Sequence, residues 1–506
     1  MTISLALDQE VGAGLPHSRT TWWRPSPPVV VAAAFFLGLC VLVLTKASQL
    51  LEPDDLAYRA SIVALEHGHL WLTNAQYSAL AHQLAGSSTG GAGGLGGIAQ
   101  WVHRADGTWI SEKNPGYPFY AVGFAWLGIL RFAPLFYGAF AAVGLYLGGR
   151  RWIGRWGGAA AVALFCTSGA AMVFAWRATM PTFTDASMIA AGCGLLLWAV
   201  LAGEQTARRR ILVGLVAFFA VDSAVFMRYT DVVALVCAAG TVALLWLFAR
   251  RSLPRQGAPI WLGSQALFAV FLLSMNTFLY GHALSTGYAG GEITFSAGAL
   301  SGNLGVMPRN LVVTMPMLVL GAVGLAWIVG RAALVGRGPA RAGARRDLWV
   351  ALALASVWLG IFGLYFFYNW TVQGGGPGDA AWGNVHLIRF YLPAIGPVAL
   401  LAAWPLLRVH KAVAIGALAA VVVLGSLSFG SMASAAAVGG PGGRGGAACA
   451  PGGGAFGAGI GPGGAPAGQL PPGPPPGFGG SGPGQGPPGG LPGAGAGALS
   501  PGGPRC

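Results

Sequence analysis

Apolar positions in this chain come in long uninterrupted runs, without the periodicity of a surface helix or the alternation of a half-buried strand. Eleven runs approach the roughly 20 residues that cross a bilayer: 29–45, 134–149, 157–175, 187–202, 211–226, 232–249, 260–280, 311–330, 348–367, 391–407 and 412–429. They predict an all-α polytopic membrane protein of about eleven transmembrane helices. The apolar stretch 116–130 is shorter and opens among prolines. It predicts a surface or re-entrant helix feeding the second span, so that 116–149 crosses once.

Three polar loops interrupt the series: 46–115, which starts with a helical pattern at 54–67 and passes through the Gly-rich 86–97, then 282–310 and 369–390. Long loops of this kind more often carry function than fill space. Residues 1–28 form a polar lead, and no small-residue cleavage site follows 29–45, so the first run reads as an anchor. Residues 430–506 read as a low-complexity tail. From about 439 they are Gly, Pro and Ala without a single acid, a composition that cannot bury a core and predicts disorder.

Of the 506 residues, 55% are hydrophobic and only 9% charged, with a mean hydropathy of +0.63, outside the balance of soluble proteins. The net charge of +14 is unevenly placed. Arg19 and Arg24, Arg150, Arg151 and Arg155, Arg208 to Arg210, Arg250, Arg251 and Arg255, Arg331 to Arg346, and Arg408 with Lys411 occupy alternate loops. The positive-inside rule makes that side cytoplasmic. Membrane lipids are among the expected partners, and nucleic acid is not. Glu52, Asp54, Asp55, Glu66, Asp106, Glu112, Asp185, Asp231, Glu292 and Asp379 fall in or beside the opposite loops, which are expected to hold the active surface on the extracytoplasmic face of the plasma membrane, with the tail on the same side. Cys40, Cys166, Cys193 and Cys237 lie in predicted helices as small buried hydrophobes, Cys449 and Cys506 in the tail, and no zinc spacing appears among them.

Four motifs stand in order on the predicted outer side. Asp54-Asp55 follows the first run, Glu112-Lys113-Asn114-Pro115-Gly116-Tyr117-Pro118 leads toward the second, Arg177-Ala178-Thr179-Met180 with Asp185 precedes the fourth, and Arg389-Phe390-Tyr391-Leu392-Pro393 opens a late one. Over 29–429 this order resembles the GT-C glycosyltransferases, membrane enzymes that draw sugars from polyprenyl-phosphate carriers. The first motif is similar to the acidic dyad of protein O-mannosyltransferases and the second to the lysine segment of the aminoarabinose transferase of lipid A. The third resembles the second outer loop of the oligosaccharyltransferase catalytic subunit, and the fourth the Arg-Tyr-Leu-Leu-Pro start of a late helix in bacterial members. Asn114 stands where that pattern has Pro, Phe390 where it has Tyr, and the second outer loop has no acid-x-acid motif. That last departure speaks against a tightly held metal, a divalent cation stays an open alternative, and no other cofactor is implied.

What the resemblance implies is transfer of a sugar from a polyprenyl-phosphate donor to an extracytoplasmic cell-envelope glycan, lipid or protein. Such transfer needs a base for the acceptor hydroxyl and cations for the departing phosphate. Asp54 is the candidate base. Asp55 would raise the proton affinity of the pair by like-charge repulsion or orient the acceptor. Adjacency does not say which of the two is the base, because helical neighbours point about 100° apart.

Lys113 and Arg389 are candidate phosphate ligands. Arg177, Arg228 and Tyr391 are further substrate-binding candidates, and Asp185 is a candidate acceptor or metal contact. Plainer roles compete: helix-end acids for Asp54, Asp55 and Asp185, a loop cation for Lys113, and an Arg228–Asp231 pair across a turn. Asp222, inside a span, marks a functional or paired site. Glu292, His386, Trp71, Trp101, Trp109 and Trp382 sit in outer loops where they can meet sugar, structural or interfacial duty being the commoner use. A transporter or flippase of lipid-linked sugars, and a non-catalytic envelope scaffold, are the rival classes.

Overall fold

Long apolar runs become long helices because a backbone in lipid must satisfy its own hydrogen bonds. The computed structural model describes residues 26–45, 53–87, 98, 100–248, 253–288, 294–335, 339–369 and 385–439. In chain order the helices are α1 (Pro27–Thr45), α2 (Pro53–Glu66), α3 (Asn74–Ser87), α4 (Gly116–Trp126), α5 (Ala133–Trp152), α6 (Arg155–Cys166), α7 (Gly169–Trp176), α8 (Thr182–Leu201), α9 (Ala207–Met227), α10 (Val232–Phe248), α11 (Gly257–Tyr280), α12 (Ala297–Thr314), α13 (Met317–Leu334) and α14 (Pro339–Phe366). The short Val385–Ile388, then Ile395–Leu406 and Lys411–Gly439, complete the series. The protein is an all-α multi-pass membrane protein, with one small sheet and one isolated bridge, Phe295 to Tyr368, among the described residues.

Nine helices among the described residues are long and apolar enough to cross a membrane. The other two predicted runs differ from simple spans. Run 157–175 is the pair α6 and α7, bent by 62°. Thr167 turns its hydroxyl back onto the Ala163 carbonyl (2.7 Å) and Ser168 is extended, which breaks the helix without lowering its hydropathy. Run 391–407 yields the helix Ile395–Leu406, too short to cross alone and buried along its whole length. It is the centre of the bundle, whereas α1, α11 and Lys411–Gly439 turn residues such as Leu37, Leu267 and Ile415 outward.

The two ends of the bundle differ in charge. At one end Arg151 meets Glu204 (3.5 Å), Arg210 donates to the Ala199 carbonyl (2.8 Å), and Arg331, Arg346 and Arg408 surround Asp347. The four motifs gather at the other. Helix α4, with eleven residues, stays at the motif end, its Trp126 indole donating to the Glu66 carbonyl (3.1 Å). Residues 116–149 thus supply one helix of crossing length, Leu130–Trp152 in extent.

The first long loop folds on itself, with a sheet that the sequence did not predict. Strands β1 (Trp71–Leu72), β2 (Trp101–His103) and β3 (Trp109–Ser111) run antiparallel in the order β1-β3-β2, with Ile110 opposite both Trp71 and Val102. Tyr77 stacks on Trp109 (4.0 Å), whose indole donates to Asn74 (2.7 Å), and Trp71 lies against Phe278 (5.3 Å). Trp101 and Trp109 thus pack against Tyr77, while Trp71 stays 37% exposed. Trp382, Glu292, the side chain of His386, residues 1–25 and residues 440–506 lie outside the described residues.

Candidate functional site

Strand β3 ends at Ser111, whose hydroxyl accepts the Lys113 backbone N–H (3.1 Å) and turns the chain inward. Lys113 is thereby buried. Helix α2 starts at Pro53, a residue suited to a first turn, and places Asp54 and Asp55 where the helix dipole favours carboxylates.

The two acids then part. Asp54 Oδ1 is 3.1 Å from Lys113 Nζ and its Oδ2 is 2.9 Å from Arg389 Nη2. Burial pushes the Asp54 carboxyl up, but Arg389, Lys113 and a hydrogen bond from Gln100 outweigh it and hold the group well below the usual carboxylate range. Gln100 has the only left-handed non-glycine backbone among the described residues (φ 61°). Asp55 is fully buried, ion-paired with Arg177 and accepting from Thr179 Oγ1 (3.0 Å). The expectation that Asp55 raises its neighbour's proton affinity is corrected: its charge is spent on Arg177, and Asp54 is held low by cations. With its side chain 13% exposed against 0% for Asp55, Asp54 is the one a substrate can reach.

Arg228 anchors the other flank. Its Nε lies 3.4 Å from Asp185 Oδ2, its Nη2 donates to Thr182 Oγ1 (3.2 Å) and its Nη1 to the Arg389 carbonyl (3.2 Å). The predicted Arg228–Asp231 pair is replaced by Arg228–Asp185, because the start of α8 faces Arg228. Asp231 is buried, with neither carboxyl oxygen hydrogen-bonded among the described residues. The Phe390 ring lies 4.9 Å from the Arg389 guanidinium and 5.8 Å from that of Arg228. Asp185, Arg228, Arg389 and Asp54 thus form one chain of contacts, with side chains 0%, 15%, 7% and 13% exposed in that order.

Three other candidates move inward. Tyr391 is fully buried among Phe362 (5.0 Å), Phe366 (5.7 Å) and Tyr365 (5.9 Å), so it holds the Arg389 segment in place instead of touching substrate. Arg177, 1% exposed, lies over Phe174 (5.4 Å) as well as on Asp55. Asp185 is fully buried behind Arg228. Asp222 lies apart, 3.5 Å from Gln265 Nε2 between α9 and α11.

Among the described residues no three His, Cys, Asp or Glu side chains converge on one point. Both oxygens of Asp54 already face cationic side chains, so this donor set does not fit a divalent cation.

Sequence reasoning singled out the stretch from Tyr280 to Glu292, which contains Tyr288, as similar to a loop of bacterial GT-C proteins but gave it no role. Lys113 Nζ donates to the Tyr288 hydroxyl (3.2 Å) and lies 4.9 Å from its ring. Burial, then Asp54 and Glu112, push the Tyr288 phenol up, so it remains neutral. The available signal was Gly287: a Cβ there would stand 2.4 Å from Glu112 Cα and 2.5 Å from its carbonyl oxygen. Only glycine lets this loop lie on the Glu112 backbone. Gly287→Ala should therefore lift Tyr288 off Lys113 and lower activity by on the order of 10²-fold. The thermal midpoint should hardly move, and measuring both separates misplacement from unfolding.

An α-helical membrane bundle with a buried acid–cation cluster at one end is the class that fold and site define. No protein-family model matches the sequence, and no curated protein matches it. Among solved structures, ArnT from Cupriavidus metallidurans in the apo state is similar at 15% identity and a TM-score of 0.46, over 77% of this chain and 61% of that one. The apo Archaeoglobus fulgidus oligosaccharyltransferase is similar at 12% identity and 0.48, over 83% of this chain and 56% of that one. ArnT bound to undecaprenyl phosphate matches at 14% and 0.46, over 82% and 76%. The chain spans less than two thirds of the length of the first two.

Proposed function

We propose that the protein transfers a sugar from a polyprenyl-phosphate donor to a hydroxyl of a cell-envelope glycan, lipid or protein at the outer face of the plasma membrane, with Asp54 as general base. The observation that carries this reading is one reachable carboxylate held by two buried cations, Lys113 and Arg389, at the loop end of a membrane bundle. A phosphodiester carries one negative charge and competes with Asp54 for the same two cations. Arg389 offers it a fork of donors and Lys113 a point charge.

Once phosphate shares those cations, the proton affinity of Asp54 rises from its depressed level. The carboxylate can then take the acceptor's proton as the new bond to the anomeric carbon forms. The bond to the phosphate oxygen breaks, its electron pair leaves with the phosphate, and a single displacement inverts the carbon. Arg228, steered by Asp185 and Thr182, fixes the backbone that presents Arg389.

The test is to reconstitute the full chain in liposomes with a panel of radiolabelled polyprenyl-phosphate sugars and envelope acceptors, and to resolve products by thin-layer chromatography. Labelled acceptor is the expected result. Movement of donor across the bilayer without covalent product would overturn the transferase in favour of the transporter.

A further inference from the structure

The basic end of the bundle holds a second charged cluster that sugar transfer does not use. Asp347, buried near the start of α14, receives Arg331 Nη1 at 3.4 Å and Arg408 Nη2 at 3.7 Å on Oδ2, and Arg346 Nη2 at 3.7 Å on Oδ1. The Trp152 indole donates to Oδ1 (3.1 Å). Charge-assisted bonds close at about 2.7–2.9 Å. None of the three guanidiniums reaches that distance, so Asp347 is shared without being gripped by any one of them. Among the described residues, three cations here meet one carboxylate.

The guanidiniums are packed yet open, with side chains 39%, 57% and 29% exposed for Arg331, Arg346 and Arg408. Arg408 lies 3.5 Å above the Trp404 ring and donates to the Trp404 carbonyl (3.0 Å). Burial pushes Arg408 down to about 10 against the pull of Asp347, and the like charges of Arg331 and Arg346 add to the fall. A further anion would relieve that crowding. What lies beside the cluster is apolar and lipid-facing: Trp327, in edge contact with Trp404 (5.8 Å), and Leu334 are both on α13 with Arg331 and both exposed. A soluble anion has no use for that surface, whereas a lipid needs both halves.

We propose that Arg331, Arg346 and Arg408 bind the phosphate headgroup of an anionic phospholipid, whose acyl chains lie along Trp327 and Leu334. The full chain in a neutral detergent should retain phosphatidylglycerol in native mass spectra, and its thermal midpoint should rise with phosphatidylglycerol but not with phosphatidylcholine. Arg331→Gln/Arg408→Gln should weaken phosphatidylglycerol binding at least tenfold, Arg331→Lys/Arg408→Lys much less. Arg208→Gln/Arg209→Gln, exposed on α9 away from Asp347, should leave it unchanged.

Should the double Gln variant not fold, the exposed Arg346→Gln carries the test and must still weaken binding. An equal response to phosphatidylcholine, an equal loss in the α9 variant, or unchanged affinity in Arg346→Gln would each overturn the site. Inorganic phosphate alone giving the same rise would overturn the lipid in favour of a free anion.

Discussion

Asp54→Asn is expected to lower sugar transfer by roughly 10²–10⁴-fold, the range of a lost general base, while donor binding is kept or tightened. Asn preserves the shape of the side chain and removes both the proton acceptor and the rival for Lys113 and Arg389. The ligand-free variant then holds two buried cations without their counter-charge, and a donor phosphate fills that place. Asp54 therefore pays for catalysis with affinity, a trade visible only if rate and binding are measured separately. A variant that loses rate and donor affinity together would mark Asp54 as a binding group.

The same geometry fixes a pH dependence. The folded carboxyl of Asp54 lies below its unfolded value of about 3.9. Its contribution to stability is therefore complete above that value and lost as pH falls through the folded one, leaving no dependence on Asp54 between pH 8 and 5. Donor binding behaves differently. Phosphate raises the Asp54 proton affinity, so the complex binds more protons than the free protein and affinity should increase as pH falls toward 5. Calorimetric titration at several pH values should find that slope in the parent chain and not in Asp54→Asn.

Hydropathy located most helices because lipid imposes the same demand on every spanning backbone, but it took 282–310 for a loop where α12 stands, and run 311–330 is divided between α12 and α13 at Met315 and Pro316. It could not separate Ile395–Leu406, buried against protein, from α11, exposed to lipid, since both environments select the same residues. Nor could it see the break at Thr167 and Ser168, where the Thr167 hydroxyl bonds back to the Ala163 carbonyl and the Ser168 backbone is extended. Within the site, Asp54, Lys113 and Arg389 were legible through the motifs that carry them, Lys113 and Arg389 also as cations on the acidic side of a charge-biased chain. The role of Tyr288 was not, because its contact with Lys113 spans 175 residues and neither residue type betrays it. The partner of Arg228 was misjudged for a related reason: Asp231 is near in sequence, and Asp185 is near in space.

Asp55→Ala is expected to destabilise the fold by about 3–5 kcal/mol, the cost of leaving one member of a buried ion pair behind. Arg177 is 1% exposed, and Thr179 loses its acceptor at the same time. Thermal unfolding in detergent should report the loss, and residual transfer should track the folded fraction. Removing both charges tells more: Asp55→Leu with Arg177→Met should recover much of the stability, because apolar replacements of a buried pair are often neutral. If Asp55 acts only by holding the start of α2 against the Arg177 segment, the double variant should also recover activity. A stable double variant that transfers no sugar would instead give Asp55 a part in the chemistry beside Asp54.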